Sequence, residues 1–229
     1  MERDMRETND SAYISGVIAE EFCYSHEVCG EKFYTSIVDV ERKSGVIDKV
    51  PIMVSERLAD VGSLLIGDGD VTDKWVGERV YIYGQFRSFN KHDGNRNHLI
   101  LHLFAREFFC IDDIGHDDNS IELDGFICKK PIYRDTPLKR EICDILLAVN
   151  RPYGKSDYIP CICWGRNARF ASGLEAGTRL KVQGRIQSRE YFKEISEGYS
   201  EKRIAYEVSI SKLEVVESEE CKDQVADAE

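Results

Sequence analysis

The chain has 229 residues, of which 42% are apolar and 32% charged, and its formal net charge is −11. That much apolar material excludes a disordered chain and supports one large core or two smaller ones, while the acidic balance taken whole argues against a nucleic-acid partner. No apolar run approaches the ~18 residues of a membrane helix, and the opening "MERDMRETND" has no apolar stretch of the signal-peptide kind, so a cytoplasmic protein without a membrane partner is expected.

In chain order, residues 1–11 are polar and net −2, and residues 12–112 form a first unit that is net −5. Within that unit "ISGVIAEEF" (14–22), "IVDVER" (37–42), "VPIMV" (50–54) and "VGERVYIYGQFRS" (76–88) read as strands. "VGSLLIGDGDVT" (61–72) reads as a turn-rich insertion. Its "DGDVTD" hints at a calcium loop, but loop position 6 is not glycine and position 12 is Arg79 rather than Glu. "HDGNRNH" (92–98) suggests a hairpin turn at Asp93-Gly94. The polar stretch "DIGHDDNS" (113–120) reads as a linker.

A second unit, 121–216, repeats the first. "LDGFICKKP" (123–131), "LLAVNR" (146–151) and "IPCIC" (159–163) align with the first three strands at an offset of 109, and "AGTRLKVQGRIQS" (176–188) aligns with the fourth at an offset of 100. Its strands are expected at 121–128, 141–150, 158–164, 178–187 and 204–216, with a short helix at 167–172. Five strands, a helix after the third and a glycine at a bend of the fourth (Gly184) describe a small closed Greek-key barrel, for which the OB fold is the candidate. The fold expected is therefore all-β: two tandem five-stranded OB-fold barrels, each with a short helix after strand 3. An acidic tail, 217–229, is net −5.

Charge is segregated. Residues 119–216 carry 17 Lys+Arg against 13 Asp+Glu, the one basic segment of the chain. That segment contains "SDYIPCICWGRNARF" (156–170). Side chains on a strand alternate faces, so Tyr158, Pro160, Ile162 and Trp164 share one face, and Ile159, Cys161 and Cys163 share the other. The second set suits a core. The first is broad and aromatic and is flanked by Lys155, Arg166 and Arg169.

The motifs "ILLAVNRPY", "SDYIPCICWGRNA", "AGTRLKVQGRIQSREY" and "AYEVSISKLEVV", in that order, make residues 121–216 resemble the bacterial single-stranded DNA-binding proteins. The resemblance implies base stacking on four aromatic positions, which fall here on Tyr153, Tyr158, Trp164 and Tyr191. The chemistry agrees: stacking contributes ~1–3 kcal/mol per base whatever the sequence, and Arg and Lys along the same groove follow the phosphates. Arg151, Lys155, Arg166, Arg169, Arg185, Arg189 and Lys193 interleave with the four aromatics and are the phosphate-binding candidates.

The first unit departs from the pattern. The offsets carry the four aromatics to Ser44, Lys49, Ser55 and Lys91. The expectation is a degenerate barrel used for assembly or weak binding, with Phe86, Arg87 and Phe89 as a residual surface. The resemblance further implies a homodimer presenting four barrels. The tail lacks the Pro-Phe tip that such proteins use to recruit replication and repair partners.

Eight cysteines contain no C-x-x-C, and the five histidines form no ligand pair, so neither a metal nor a cofactor is expected. The cysteines read as small buried residues in a reducing compartment. With no nucleophile elbow or phosphate loop, neither an enzyme nor a small-molecule substrate is expected. The function expected is sequence-independent binding and protection of single-stranded DNA in replication, repair or recombination. The alternative is an OB-fold accessory module that binds protein and has little DNA affinity.

Overall fold

The computed structural model describes residues 9–58, 75–93, 96–112, 116–196 and 199–217. The strands follow the alternation of apolar and polar residues. The first half contains β1 (Asp10–Ile18), β2 (Cys23–Val28), β3 (Glu31–Glu41), β4 (Ile47–Ser55), β5 (Arg79–Asp93) and β6 (Arg96–Cys110). The second contains β7 (Asn119–Ile127), β8 (Ile132–Asp135), β9 (Glu141–Arg151), β10 (Lys155–Trp164), helix α1 (Arg166–Ser172), β11 (Arg179–Ser196) and β12 (Tyr199–Val215).

All twelve strands join in the order β2-β3-β4-β6-β5-β1-β7-β11-β12-β10-β9-β8, and the pairings β1–β3 and β7–β9 close each half into a five-stranded barrel. β2 and β8 are hairpin arms outside the barrels. The two barrels share one register: Val38↔Val50 in the first recurs as Leu147↔Ile159 in the second, and the parallel pair Ile52↔Leu103 recurs as Cys161↔Val208. Both halves therefore have the closed Greek-key topology of an OB fold, and the chain is a tandem of two such barrels.

The inward residues fill the cores. Ile14, Ile82, Phe86 and Leu103 are fully buried in the first barrel, as are Leu147, Ile159, Leu180 and Ile186 in the second. Burying one such side chain contributes about 1.5–3 kcal/mol. Closure requires two backbones to approach closely, and Gly84 and Gly184 permit it. A Cβ would stand 2.1 Å from the Phe104 carbonyl oxygen at Gly84 and 2.3 Å from that of Ser209 at Gly184. Both glycines lie at register shifts, where β5 and β11 bend.

The barrels meet edge to edge through β1 and β7, from Asp10↔Leu123 to Ile14↔Asn119. Two matched latches flank this seam. On one side Arg42 grips the buried carboxylate of Asp48 through two bonds of 2.6 Å. Asp48 accepts from the Ser188 amide at 3.0 Å, and the Lys49 amide donates to Ser188 Oγ at 2.9 Å. On the other side Arg151 Nε lies 2.9 Å from the buried Asp157. Asp157 accepts from the Ser88 amide at 2.6 Å, and the Tyr158 amide donates to Ser88 Oγ at 2.7 Å. Each latch ties the third barrel strand of one half (β4 or β10) to the fourth of the other (β11 or β5).

Several details differ from the sequence reading. Asn119 and Ser120 belong to β7 rather than to a linker, because they pair with β1, and β1 begins at Asp10 rather than at residue 12. β11 and β12 run on well past 187 and begin before 204, pairing as a ribbon as far as Ser196↔Tyr199. Of the cysteines, Cys143, Cys161 and Cys163 are buried, but Cys23, Cys29 and Cys110 are exposed. Phe86 is core and so is unavailable as a residual surface. The first barrel's expected helix, the insertion 61–72, the Gly94 turn position and the tail beyond Glu217 lie outside the described residues.

Candidate nucleic-acid interface

β10 supplies the centre of the candidate site. Its inward residues Ile159, Cys161 and Cys163 are no more than 2% exposed, whereas Tyr158 is 45% and Trp164 39% exposed. Ile162 lies buried between them on the outer face. Trp164 Nε1 donates to Ser209 Oγ at 3.3 Å, which anchors the indole's polar edge and leaves the ring available. Tyr158 is held through its backbone by Ser88 of the other barrel.

Tyr153 sits in a 3-10 turn, Pro152–Gly154, between β9 and β10. Its side chain is 99% exposed, and its backbone has φ 66° and ψ 31°. A non-glycine residue in the left-handed region is costly, and a fully exposed aromatic there gains nothing from packing. Tyr191 lies half-buried on the β11–β12 ribbon, with the Arg189 guanidinium 5.9 Å from its ring centre. The register is continuous from Gly184 to Glu194, so Arg185, Gln187, Arg189, Tyr191 and Lys193 alternate onto one face.

The seven basic candidates fall into three groups. Lys155, Arg166 and Lys193 are exposed and have no ion-pair partner among the described residues. Arg169 lies 3.2 Å from Glu141, and Arg189 lies 3.7 Å from Glu207, which also accepts from Gln187 at 2.7 Å. Arg151 and Arg185 are drawn into the seam. Arg151 holds Asp157, whose carboxyl is pushed above its usual range by burial, an effect opposed by the Ser88 amide and Arg151. Arg185 is held below the ordinary guanidinium range by burial and by the neighbouring Arg42.

Sequence reasoning missed three features of this region. Phe192 is 72% exposed beside Tyr191, and "REYFK" carried the signal. Arg203 stands opposite Tyr191 across the ribbon. Ser88 and Asp157 buttress the platform across the seam, and only the fold brings them together.

The sequence match to a known family falls in the same half of the chain. Residues 118–216 match the Single-strand binding protein family. Single-stranded DNA-binding protein 3 of Listeria innocua is 32% identical over 110 residues, which are 44% of this chain and 66% of that protein. The single-stranded DNA-binding protein of Halalkalibacterium halodurans is 35% identical over 80 residues, 32% of this chain and 48% of that protein. The chain thus spans between about half and two thirds of these relatives' own lengths. Both barrels superpose on the crystal structure of the wild-type single-stranded DNA binding protein from Thermus aquaticus, with a TM-score of 0.68 and 18% identity over 91% of this chain and 93% of that one. At that identity the likeness concerns the fold, whereas the sequence match is confined to the second barrel. Residues 118–216 thus resemble the single-strand binding protein family in sequence, and the tandem as a whole shares the fold of the Thermus aquaticus protein.

Proposed function

We propose that the chain binds single-stranded DNA without sequence preference and covers it during replication, repair or recombination. The second barrel carries the main contact. Tyr153, Tyr158, Trp164 and Tyr191 take the bases, while Lys155, Arg166, Lys193, Arg169 and Arg189 follow the phosphates and Arg151 and Arg185 border the path at the seam. The observation behind this reading is that all four aromatics project from one barrel, with exposed cations between them. Stacking faces accept any base, which suits a coating protein rather than a sequence reader.

The first barrel, with Ser44, Lys49, Ser55 and Lys91 at the corresponding places, contributes assembly and weaker binding. The working assembly is a homodimer of four barrels. The protein acts as a binding protein in the cytoplasm. No helix among the described residues is long and apolar enough to cross a membrane.

Fluorescence anisotropy of labelled oligo-dT at two salt concentrations tests this reading. Log affinity should fall with log salt at about −0.7 per phosphate contact, and mixed-sequence oligonucleotides should bind similarly. Absence of binding at low salt would reject the proposal in favour of a barrel kept for protein contacts.

A further inference from the structure

The two hairpin arms outside the barrels match in place and oppose each other in charge. Residues 20–31, around β2, carry Glu20, Glu21, Glu27 and Glu31 with no Lys or Arg, net −4. At the repeat offset of 109 they align with residues 129–140, around β8. There Lys129, Lys130, Arg134, Lys139 and Arg140 stand against Asp135 alone, net +4. Glu20, Glu21 and Glu31 fall directly on Lys129, Lys130 and Arg140.

Both arms end the sheet. β2 pairs with β3 alone and β8 with β9 alone, and they stand at the two ends of the strand order, so the outer edge of each has no strand beside it among the described residues. Such an edge presents a row of unpaired amides and carbonyls. Every residue of both strands is exposed. That includes apolar side chains: Tyr24 and Val28 on β2 and Ile132 on β8 are each more than half exposed. Part of the charge is already paired, since Glu31 lies near Arg57, Lys130 near Glu175 and Arg134 beside Asp144. Glu27, Lys129 and Lys139 have no ion-pair partner among the described residues.

Charge selects which edges can meet. Two β2 arms would set glutamates against glutamates, and two β8 arms would set cations against cations. Like charges facing each other across a strand pair destabilise it. Only a β2 edge against a β8 edge brings opposite signs together, so attraction favours one pairing and repulsion excludes the other two. The two edges belong to different barrels at opposite ends of the sheet. A contact between them is therefore heterologous and repeats from copy to copy.

We infer that the β2 edge of one copy adds to the β8 edge of the next, linking copies of this chain head to tail. This deepens the proposed function and rests on it for its setting: copies held on one nucleic-acid strand meet at a high effective concentration, so the contact forms there at protein concentrations that leave free copies apart.

The test uses the full chain in isotopically light and heavy forms, mixed at low salt and treated with a carbodiimide, which joins a carboxylate directly to an amine. An OB fold covers ~4–16 nucleotides, so oligo-dT of roughly 200 nucleotides seats several copies and one of roughly 12 is too short to hold neighbours. On the long strand, mixed light–heavy links should join Glu27 to Lys129 or Lys139, and they should weaken as salt rises. Lys129→Glu/Lys139→Glu should remove them and lower affinity for the long strand about tenfold, with the short strand bound as before. Adding Glu20→Lys/Glu27→Lys to the same chain reverses both edges and should restore the long-strand affinity. A bound long strand without mixed links, or with affinity unchanged by Lys129→Glu/Lys139→Glu, would overturn the inference. An equal loss on both lengths would also overturn it and assign the β8 arm to the nucleic acid. If the unsubstituted chain binds neither strand, the proposed function fails. Mixed links in concentrated protein without a strand would then uphold the contact, and their absence would reject it.

Discussion

The two barrels are alike at most places where side chains point inward or meet at the seam, and differ across their outer faces. Val38↔Val50 and Leu147↔Ile159 occupy one register, Gly84 and Gly184 one bend, and Arg42–Asp48–Ser188 mirrors Arg151–Asp157–Ser88. On the outer faces the resemblance ends. Tyr158 and Trp164 stand where the first barrel has Lys49 and Ser55, and Phe104 and His102 stand where the second has Ser209 and Glu207. Close packing and buried charge constrain the shared parts physically. The outer faces bear no such constraint and are free to differ in what they bind.

The largest effects should come from the shared parts and should be equal in the two halves. Removing either buried latch carboxylate, by Asp48→Ala or Asp157→Ala, strands an arginine at the seam and should cost about 3–5 kcal/mol. Urea denaturation of each variant would measure it, and a large loss for one with none for the other would break the symmetry.

One shared position is not matched in chemistry, and pH exposes it. Asn119 accepts from the Ile186 amide and donates to its carbonyl, both at 2.8 Å. Asp10 occupies the same place beside the Phe86 amide, but its carboxyl oxygens complete no hydrogen bond among the described residues. Burial, reinforced by Asp157 and opposed by that amide, Arg87 and Arg106, raises the Asp10 pKa from 3.8 to about 8. The folded state thus holds a proton that the unfolded state releases above pH 3.8. This contribution to stability is complete below that pH and is lost as pH rises towards 8. Asp10→Asn, which copies the other barrel, should raise the melting temperature more at pH 8 than at pH 5. An equal rise at both would contradict the assignment.

Smaller effects sharpen the difference between the outer faces. Tyr153→Gly should relieve the left-handed backbone and stabilise the fold by about 1 kcal/mol while weakening oligo-dT binding by up to tenfold, as calorimetry and anisotropy on one sample would show. Ser88→Ala and Ser188→Ala each remove one bond across the seam, about 1 kcal/mol of stability. Only Ser88→Ala should also weaken oligo-dT binding, because Ser88 alone holds the Tyr158 backbone.

The alternation in "SDYIPCICW", the offsets of the repeat and the glycine in "KVQGRIQ" made the β architecture and the Tyr158–Trp164 face legible before any coordinates. Pairing across long sequence separations was not legible. Ser88 and Asp157 are 69 residues apart and Phe33 and Phe104 are 71 apart, so no local pattern marks either contact. The same limit hid Arg151 and Arg185 in the seam, because a count of basic residues shows neither which are ion-paired, as Arg151 is to Asp157, nor which are partly buried, as Arg185 is. Carrying the aromatics over position by position also missed the first barrel's rings, because a barrel face is filled from several strands, and a ring moved from one strand to its neighbour occupies the same surface.

The central claim is that bases stack on the second barrel, and intrinsic fluorescence tests it most directly. The chain has two tryptophans, and Trp75 is buried in the first core at 4% exposure, so a ligand on the outer face is reported by Trp164. Oligo-dT should quench this emission to a saturating, stoichiometric end point, inorganic polyphosphate of equal charge should not, and Trp164→Ala should abolish the signal and weaken binding about tenfold or more. Equal quenching by polyphosphate, or unchanged affinity in Trp164→Ala, would contradict stacking and leave charge alone as the basis of binding.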